Sequence, residues 1–366
     1  MSAADSTTRR GRHYPSANRR RLLAIGGAAT LALALGACSS GGGSTSTSSA
    51  GTAGAAITTL NIGEVPFYAN IPLALGEKVG IFAHYGLKVV LQPASNVNVI
   101  IANLNSGHQQ LGFVTTPLLL KADESGQSVK CVAPLGPANN VNPAYPENAV
   151  MVAKGSSITS LAQLSGKTVG LNELEGSNEL YLEAGVEAAG GNFASIKLAT
   201  VPFADMAAAL KSGAIQAGFE VPPFITTGEQ AGDQQLLADL DSVTSPWTTD
   251  CYAASASYIS ANSSVMSHFV EAEDQSILYA AAHPSEALAE IGTVSGLSAA
   301  AAKTDVPPSI VYTDNLAPAT FIKYADLMLK YKDLTGPTLT SSDLVWLAPG
   351  TPETNLQFAD GGKYTG

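Results

Sequence analysis

From Ile57 onward, apolar and polar residues fall into short blocks whose period switches between that of a strand and that of a helix. Ile57-Thr58-Thr59-Leu60-Asn61-Ile62-Gly63 is a β-rich run. After the loop Glu64 to Asn70, Pro72 starts a helix, because its missing N–H belongs to a turn that leaves that donor unbonded anyway. Leu73, Leu75, Val79 and Phe82 supply apolar contacts, Gly86 a turn, and Leu87-Lys88-Val89-Val90-Leu91 the next strand. Strand, helix, strand is the unit of a parallel α/β layer. The pattern repeats with a helix over Asn96 to Asn105, a stop at Gly107 and the strand Leu111 to Val114. This strand runs straight into Thr115-Thr116-Pro117, where Thr116 as cap and Pro117 as first helical residue predict a helix start. Ser128 to Ala133 and Ala149 to Ala153 read as two further strands.

A second set follows. Ile158 to Leu164 reads as a short helix, Lys167 to Leu171 as a strand, and Asn178 to about Ala189 as an amphipathic helix with Leu182 and Val186 four apart. Strand Ile196 to Val201, helix Phe203 to Leu210 and strand Ile215 to Phe219 complete it, and the alternating run Tyr252 to Ile259 brings the chain back. The remainder reads as helices over Ser263 to His283, Pro284 to Gly292, Leu316 to Tyr331 and Asp343 to Leu347. In the third of these, Ala317, Phe321, Tyr324, Ala325, Met328 and Leu329 share one face, expected to pack on the first lobe. The element order predicts an α/β protein of two lobes, 57–152 with 252–366 and 153–251. Each is a mixed, mostly parallel sheet flanked by helices, and two crossings join them.

Ahead of these elements lie Arg19-Arg20-Arg21 and the apolar run Leu22 to Leu35. That run is too short and wrongly flanked for a stable span and fits a secretory signal. Leu35-Gly36-Ala37-Cys38 resembles the lipobox of a bacterial lipoprotein. The resemblance implies a signal peptide over residues 1–37, cleavage before Cys38 and diacylglycerol on its thiol. Residues 38–56 then form a Gly/Ser/Thr tether, and the folded part is lipid-anchored on the extracytoplasmic face of the cell membrane. Arg19-Arg20, followed by one residue and Leu22-Leu23, also resembles a twin-arginine export signal.

All six arginines lie at or before Arg21, so a chain starting at Cys38 carries 13 lysines against 29 acids, a net charge of −16. So acidic a surface cannot neutralise a row of phosphates, which excludes nucleic acid as a partner. With Cys38 lipidated, Cys131 and Cys251 remain, either as a disulfide or as two separate buried thiols. Two cysteines make no metal cluster, and His84, His108, His268 and His283 lack ligand spacing, so no metal or other cofactor is expected. No Ser/His/Asp arrangement is identifiable, and no catalytic residue is assigned.

Gly80-Ile81-Phe82 and Tyr85-Gly86-Leu87-Lys88-Val89, then Leu161-Ala162-Gln163-Leu164-Ser165-Gly166-Lys167-Thr168-Val169-Gly170, and Ala208 to Ala217 resemble phrases of one family. It is the nitrate/sulfonate/taurine/thiamine-precursor group of ABC-importer binding proteins, the NMT1/SsuA-like family with the type 2 periplasmic binding fold. The likeness covers roughly residues 57 to 350. The chain departs from it at His108-Gln109-Gln110-Leu111 and Gly213-Ala214-Ile215-Gln216, where many members carry Gly-Asp. The resemblance implies a monomer that captures a small organic nitrogen- or sulfur-containing solute and passes it to an ABC permease with a cytoplasmic ATPase. A surface sensor or scavenger without a permease is the alternative, and a pyrimidine-related enzyme on the same fold a lesser one.

In open parallel sheets ligands sit beyond the carboxyl ends of the strands. That rule selects Phe67 and Tyr68, as core aromatics or a stacking wall, and Thr115 and Thr116, as a helix cap or as donors beside a helix start. It selects Asn172, Glu175 and Ser177, where Gly176 allows close approach or makes a plain turn, and Glu220, facing solvent or accepting a ligand's N–H groups. Trp247 and Tyr252, near the return crossing, are lid or wall aromatics, or else core or hinge packing. Without guanidinium forks, the chain favours a neutral or partly cationic solute over a bare inorganic anion.

Overall fold

The first sheet is built from β1 (Thr58–Glu64), β2 (Leu87–Pro93), β3 (Leu111–Thr115) and β4 (Val129–Pro134), with α1 (Ile71–Val79), α2 (Ile81–His84), α3 (Val97–Ser106) and α4 (Thr116–Glu124) between them. The second holds β5 (Ala149–Val152), β6 (Thr168–Leu171), β7 (Lys197–Thr200), β8 (Ala217–Glu220) and β9 (Gln234–Leu236), with α5 (Ser177–Ala188), α6 (Phe203–Ser212) and α7 (Phe224–Ala231). The chain then returns through β10 (Asp250–Ser255), α8 (Ala256–Ala261), α9 (Ser263–Ala282), α10 (Pro284–Ala289) and α11 (Ile291–Ser295), and a further helix spans Pro318–Tyr331. This computed structural model describes residues 57–135, 148–236, 250–298, 318–335 and 344–349, all within one compact unit, Ala53–Gly366. The leader, the tether with Cys38, Trp247 and both crossings lie outside the described residues.

Both sheets follow one plan. The first has the order β2-β1-β3-β10-β4 and the second β7-β6-β8-β5-β9. In each, three parallel strands are followed by one antiparallel strand, β10 or β5, that also pairs with the strand beyond it. That antiparallel strand is, in each case, the one that enters from the other lobe. The sequence reading put residues 149–152 in the first lobe, whereas β5 pairs with β8 and β9 in the second. Its four residues are all buried, so the strand has no polar face to report which sheet it joins.

Local chemistry sets the element ends. Asn96 caps α3 by accepting from the Val99 N–H at 3.2 Å, and Gly107 closes that helix at φ 76°. β10 stops at Ser255, which caps α8 by accepting from the Tyr258 N–H, so the strand does not run on to Ile259 as expected. The long helix α9 lies on α1, where a β-carbon at Gly76 would overlap Ser276 Oγ. Phe321, Tyr324, Ala325 and Met328 of the helix Pro318–Tyr331 are buried, and it packs on α4 of the first lobe as its apolar face requires.

One apolar cluster runs from Leu60 and Ile62 on β1 to Val169 and Phe219 in the second sheet. A smaller one, with Met151, Met206 and Ile225, lies within the second lobe. Cys131 on β4 and Cys251 on β10 are joined by a disulfide, with Cα atoms 5.7 Å apart and 120 residues between them in sequence. It pins the returning strand to the edge of the first sheet.

Candidate functional site

Where the carboxyl ends of the parallel strands of both sheets converge, two adjoining chambers open between the lobes. The smaller, about 60 Å³, is walled by Phe67, Tyr68, Phe113 and Thr115 of the first lobe and by Asn172, Glu173, Ser177, Tyr181 and Phe203 of the second. The larger, about 430 Å³, lies on the far side of Val65, Asn172 and Phe203, which line both. Its walls are mainly apolar, with Pro66, Pro93, Ala94, Phe224 and Val294, and they include Glu64.

The loop carrying Phe67 and Tyr68 is held from beneath. Asn70 is fully buried, donates from Nδ2 to the Val65 carbonyl at 2.9 Å and accepts from the Tyr252 hydroxyl at 3.3 Å. Phe67 then packs on Phe113 with ring centres 5.2 Å apart and meets Tyr68 edge-on at 5.7 Å. On the opposite wall Asn178 Nδ2 donates to Asn172 Oδ1 at 2.7 Å, which fixes the Asn172 amide.

Two helix starts face the smaller chamber from opposite lobes. Thr115 is the residue before α4 and Ser177 the first residue of α5, and both hydroxyl oxygens are buried without a protein hydrogen-bond partner. Buried hydroxyls are normally satisfied, so these two hold unused hydrogen-bonding capacity beside the chamber.

Three acids complete the lining: Glu64, Glu173 and Asp250. Glu173 crosses the interlobe boundary and accepts from the Val97 N–H at the start of α3, 3.1 Å away. Burial pushes its pKa up to about 8, against the lowering effect of that hydrogen bond. Burial alone pushes Glu64 up to about 8. Its Oε2 has no protein partner, and the residue is 3% exposed. Among the described residues no lysine, arginine or histidine lines either chamber, and no cluster of His, Cys, Asp and Glu is arranged to hold a metal ion.

The residues selected from sequence divide as follows. Phe67, Tyr68, Thr115, Asn172 and Ser177 are brought together in the chamber walls. Thr116 is the first residue of α4, buried and not among the chamber-lining residues, because the position before the helix belongs to Thr115. Glu175 points outward and pairs with Lys121 Nζ of α4 at 3.1 Å, a link between the lobes. Glu220 neither faces solvent nor lines a chamber. Strand alternation gives the wall position to Val221 and turns Glu220 toward Asp233, where burial pushes its pKa up to about 9. Tyr252 is fully buried in the sheet as the support of Asn70 rather than a lid. Glu64, Phe113, Glu173, Tyr181 and Phe203 were not selected. Glu173 adjoins Asn172 at a strand end, so the rule used for Asn172 had the reach to find it.

The lobes meet at further points. The hydroxyls of Tyr181 on α5 and Tyr324 on the helix Pro318–Tyr331 hydrogen-bond to each other, alongside the Glu173 and Lys121 links.

The family model described as NMT1/THI5 like matches residues 69–287, more than half of the chain, which therefore belongs to that family. No curated protein matches the chain. Among solved structures, the ligand-binding component of an ABC-type import system from Staphylococcus aureus, with zinc bound, superposes with a TM-score of 0.66 at 18% identity over 79% of this chain and 97% of that one. The alkanesulfonate-binding protein SsuA from Xanthomonas axonopodis pv. citri, bound to MOPS, gives 0.65 at 19% over 80% and 100%. The periplasmic nitrate-binding protein NrtA from Synechocystis PCC 6803 gives 0.61 at 15% over 78% and 84%. These likenesses establish the periplasmic binding protein fold.

Proposed function

We propose, from membership of the NMT1/THI5-like family and the chambered cleft, that the chain is the solute-capturing component of an ABC importer. Lipid on Cys38 holds it at the extracytoplasmic face of the cell membrane. As a monomer it binds a small organic nitrogen- or sulfur-containing solute between its lobes and delivers it to a permease driven by a cytoplasmic ATPase. It performs no chemistry on the solute.

The observation that carries this reading is the pair Thr115 and Ser177, which line one cleft from opposite lobes and whose buried hydroxyls have no protein partners. A solute that bonds both links the halves, and closure costs less when it is present. Among the described residues no helix is long and apolar enough to cross a membrane, which suits attachment by acyl chains.

Two measurements test the reading. Thermal shift against taurine, alkanesulfonates, nitrate, pyrimidine precursors and small amines yields at least one stabilising solute, bound one to one. Its affinity falls about tenfold in Thr115→Val and in Ser177→Ala, the size of one hydrogen bond lost in a desolvated site. Affinity unchanged in both variants refutes the placement of the site. For the tether, Cys38→Ala moves the protein from the membrane fraction to the soluble one, and continued retention refutes lipidation at that residue.

A further inference from the structure

The larger chamber holds a feature that capture of a sulfonate or nitrate leaves unused. Glu64 closes the carboxyl end of β1 inside a mainly apolar space of about 430 Å³. It is 3% exposed, and its Oε2 is buried without a protein hydrogen-bond partner. The neighbouring walls supply only carbon surface, short polar groups and the Asn172 amide, whose oxygen is already engaged by Asn178.

An unpaired carboxyl in an apolar chamber costs free energy, which a partner carrying N–H donors, and above all a cation, recovers. The rest of the lining agrees in sign. Glu173 already occupies the start of α3 through the Val97 N–H, so that helix end is closed to an anionic solute. Asp250 lies beside Glu173, and no basic side chain among the described residues faces either chamber.

Resting on the solute-capture reading above, we propose that the solute is an amphiphilic organic cation. Its hydrogen-bonding head sits between Thr115 and Ser177 in the small chamber, its apolar body fills the large one, and its ammonium or amidinium group pairs with Glu64. Glu64 is thus the residue that sets the charge preference of the site.

The titratable group near Glu64 is Tyr252 of β10, which Glu273 of α9 also approaches, and burial holds both Tyr252 and Glu273 neutral. Ion-pair formation with Glu64 therefore expels its proton to solvent, because burial keeps the empty site protonated up to about pH 8. Binding of the cation tightens as pH rises toward that value and is accompanied by proton release.

The test uses the full folded chain and probes matched in shape. Tyramine, tyrosol and 4-hydroxyphenylacetate share a phenolic head and ring and end in an ammonium, a hydroxyl and a carboxylate. Short alkylamines are paired with the corresponding alcohols and alkanesulfonates. Calorimetry in two buffers of different ionisation enthalpy reads affinity and proton release together. The amine members are expected to bind about tenfold or more tighter than their neutral and anionic partners. Glu64→Gln, which keeps shape and folding, is expected to remove that preference and the proton release.

Anionic members that bind as well as or better than the amines overturn the cation assignment and leave solute capture standing. An amine preference that survives in Glu64→Gln overturns the role of Glu64. If no probe binds, the cation assignment falls. In that case, native mass spectrometry of the chain after exposure to a whole small-molecule extract decides the underlying reading, which fails if nothing is captured.

Discussion

Glu220 offers the sharpest check on the electrostatics, because it is buried, lies outside the chambers and is removable without changing shape. In Glu220→Gln the amide replaces the protonated acid nearly atom for atom. In the folded protein the carboxyl is held up to about 9, by burial first and by the charge of Asp233 second, against an ordinary value of 4.5. Between those values the folded state keeps a proton that the unfolded chain has lost. Stability therefore falls as pH rises, and the loss is complete only above the folded value. Each pH unit in that window costs about 1.4 kcal/mol for one group. Moving from about pH 5 to about pH 8 thus costs the wild type up to about 4 kcal/mol through this residue alone, an upper figure because relaxation and water entry reduce such penalties. Urea unfolding of both proteins at the two pH values isolates the effect. The variant's advantage over wild type is expected to widen by roughly 2 to 4 kcal/mol on going to the higher pH. Parallel profiles, with the advantage constant to within about 0.5 kcal/mol, refute the assignment of a proton to Glu220.

Three other outcomes follow from the packing. Replacing Cys131 and Cys251 together by serine removes a cross-link spanning 120 residues, and unfolding midpoints in urea are expected to drop by an amount equivalent to about 4 kcal/mol. Gly218→Ala places a β-carbon onto Met206 Cγ within the second lobe and is expected to cost about 1–3 kcal/mol by calorimetry. A second change, Met206→Ala, relieves part of that cost in the double variant. Lys121→Ala breaks the link to Glu175, whose side chain is 60% exposed, and is expected to shift stability by less than about 1 kcal/mol at low salt and by nothing measurable at high salt.

Much of the fold was readable from the chain because its parallel strands and helices carry strong punctuation: Pro72, Pro117, Gly107 and Gly213 each stand at or beside a helix end. What escaped was information that lies in pairing rather than in periodicity. Residues 149–152 are apolar on both sides, so only their partners β8 and β9 reveal the lobe. The same split governs the site. Positions after strand ends are a matter of order along the chain, and Phe67, Tyr68, Thr115, Asn172 and Ser177 follow from it. Direction within a loop is a matter of dihedral angles. Thus the run Asn172-Glu173-Leu174-Glu175 presents Glu173 inward, while Glu175, at φ 65°, turns out to Lys121. No one-dimensional pattern distinguishes two glutamates two residues apart in such a loop.

The placement of β10 between β3 and β4 bears on how the protein is made. The second lobe uses an unbroken run of chain, β5 to β9, and can close as soon as that run is available. The first lobe cannot, since the strand that separates β3 from β4 begins only at Asp250. Synthesis therefore delivers every strand of the second sheet before the first can be completed, and β3 and β4 lack the strand that joins them until β10 has been made. Edges left open in that way invite pairing with other chains until β10 arrives to fill the gap.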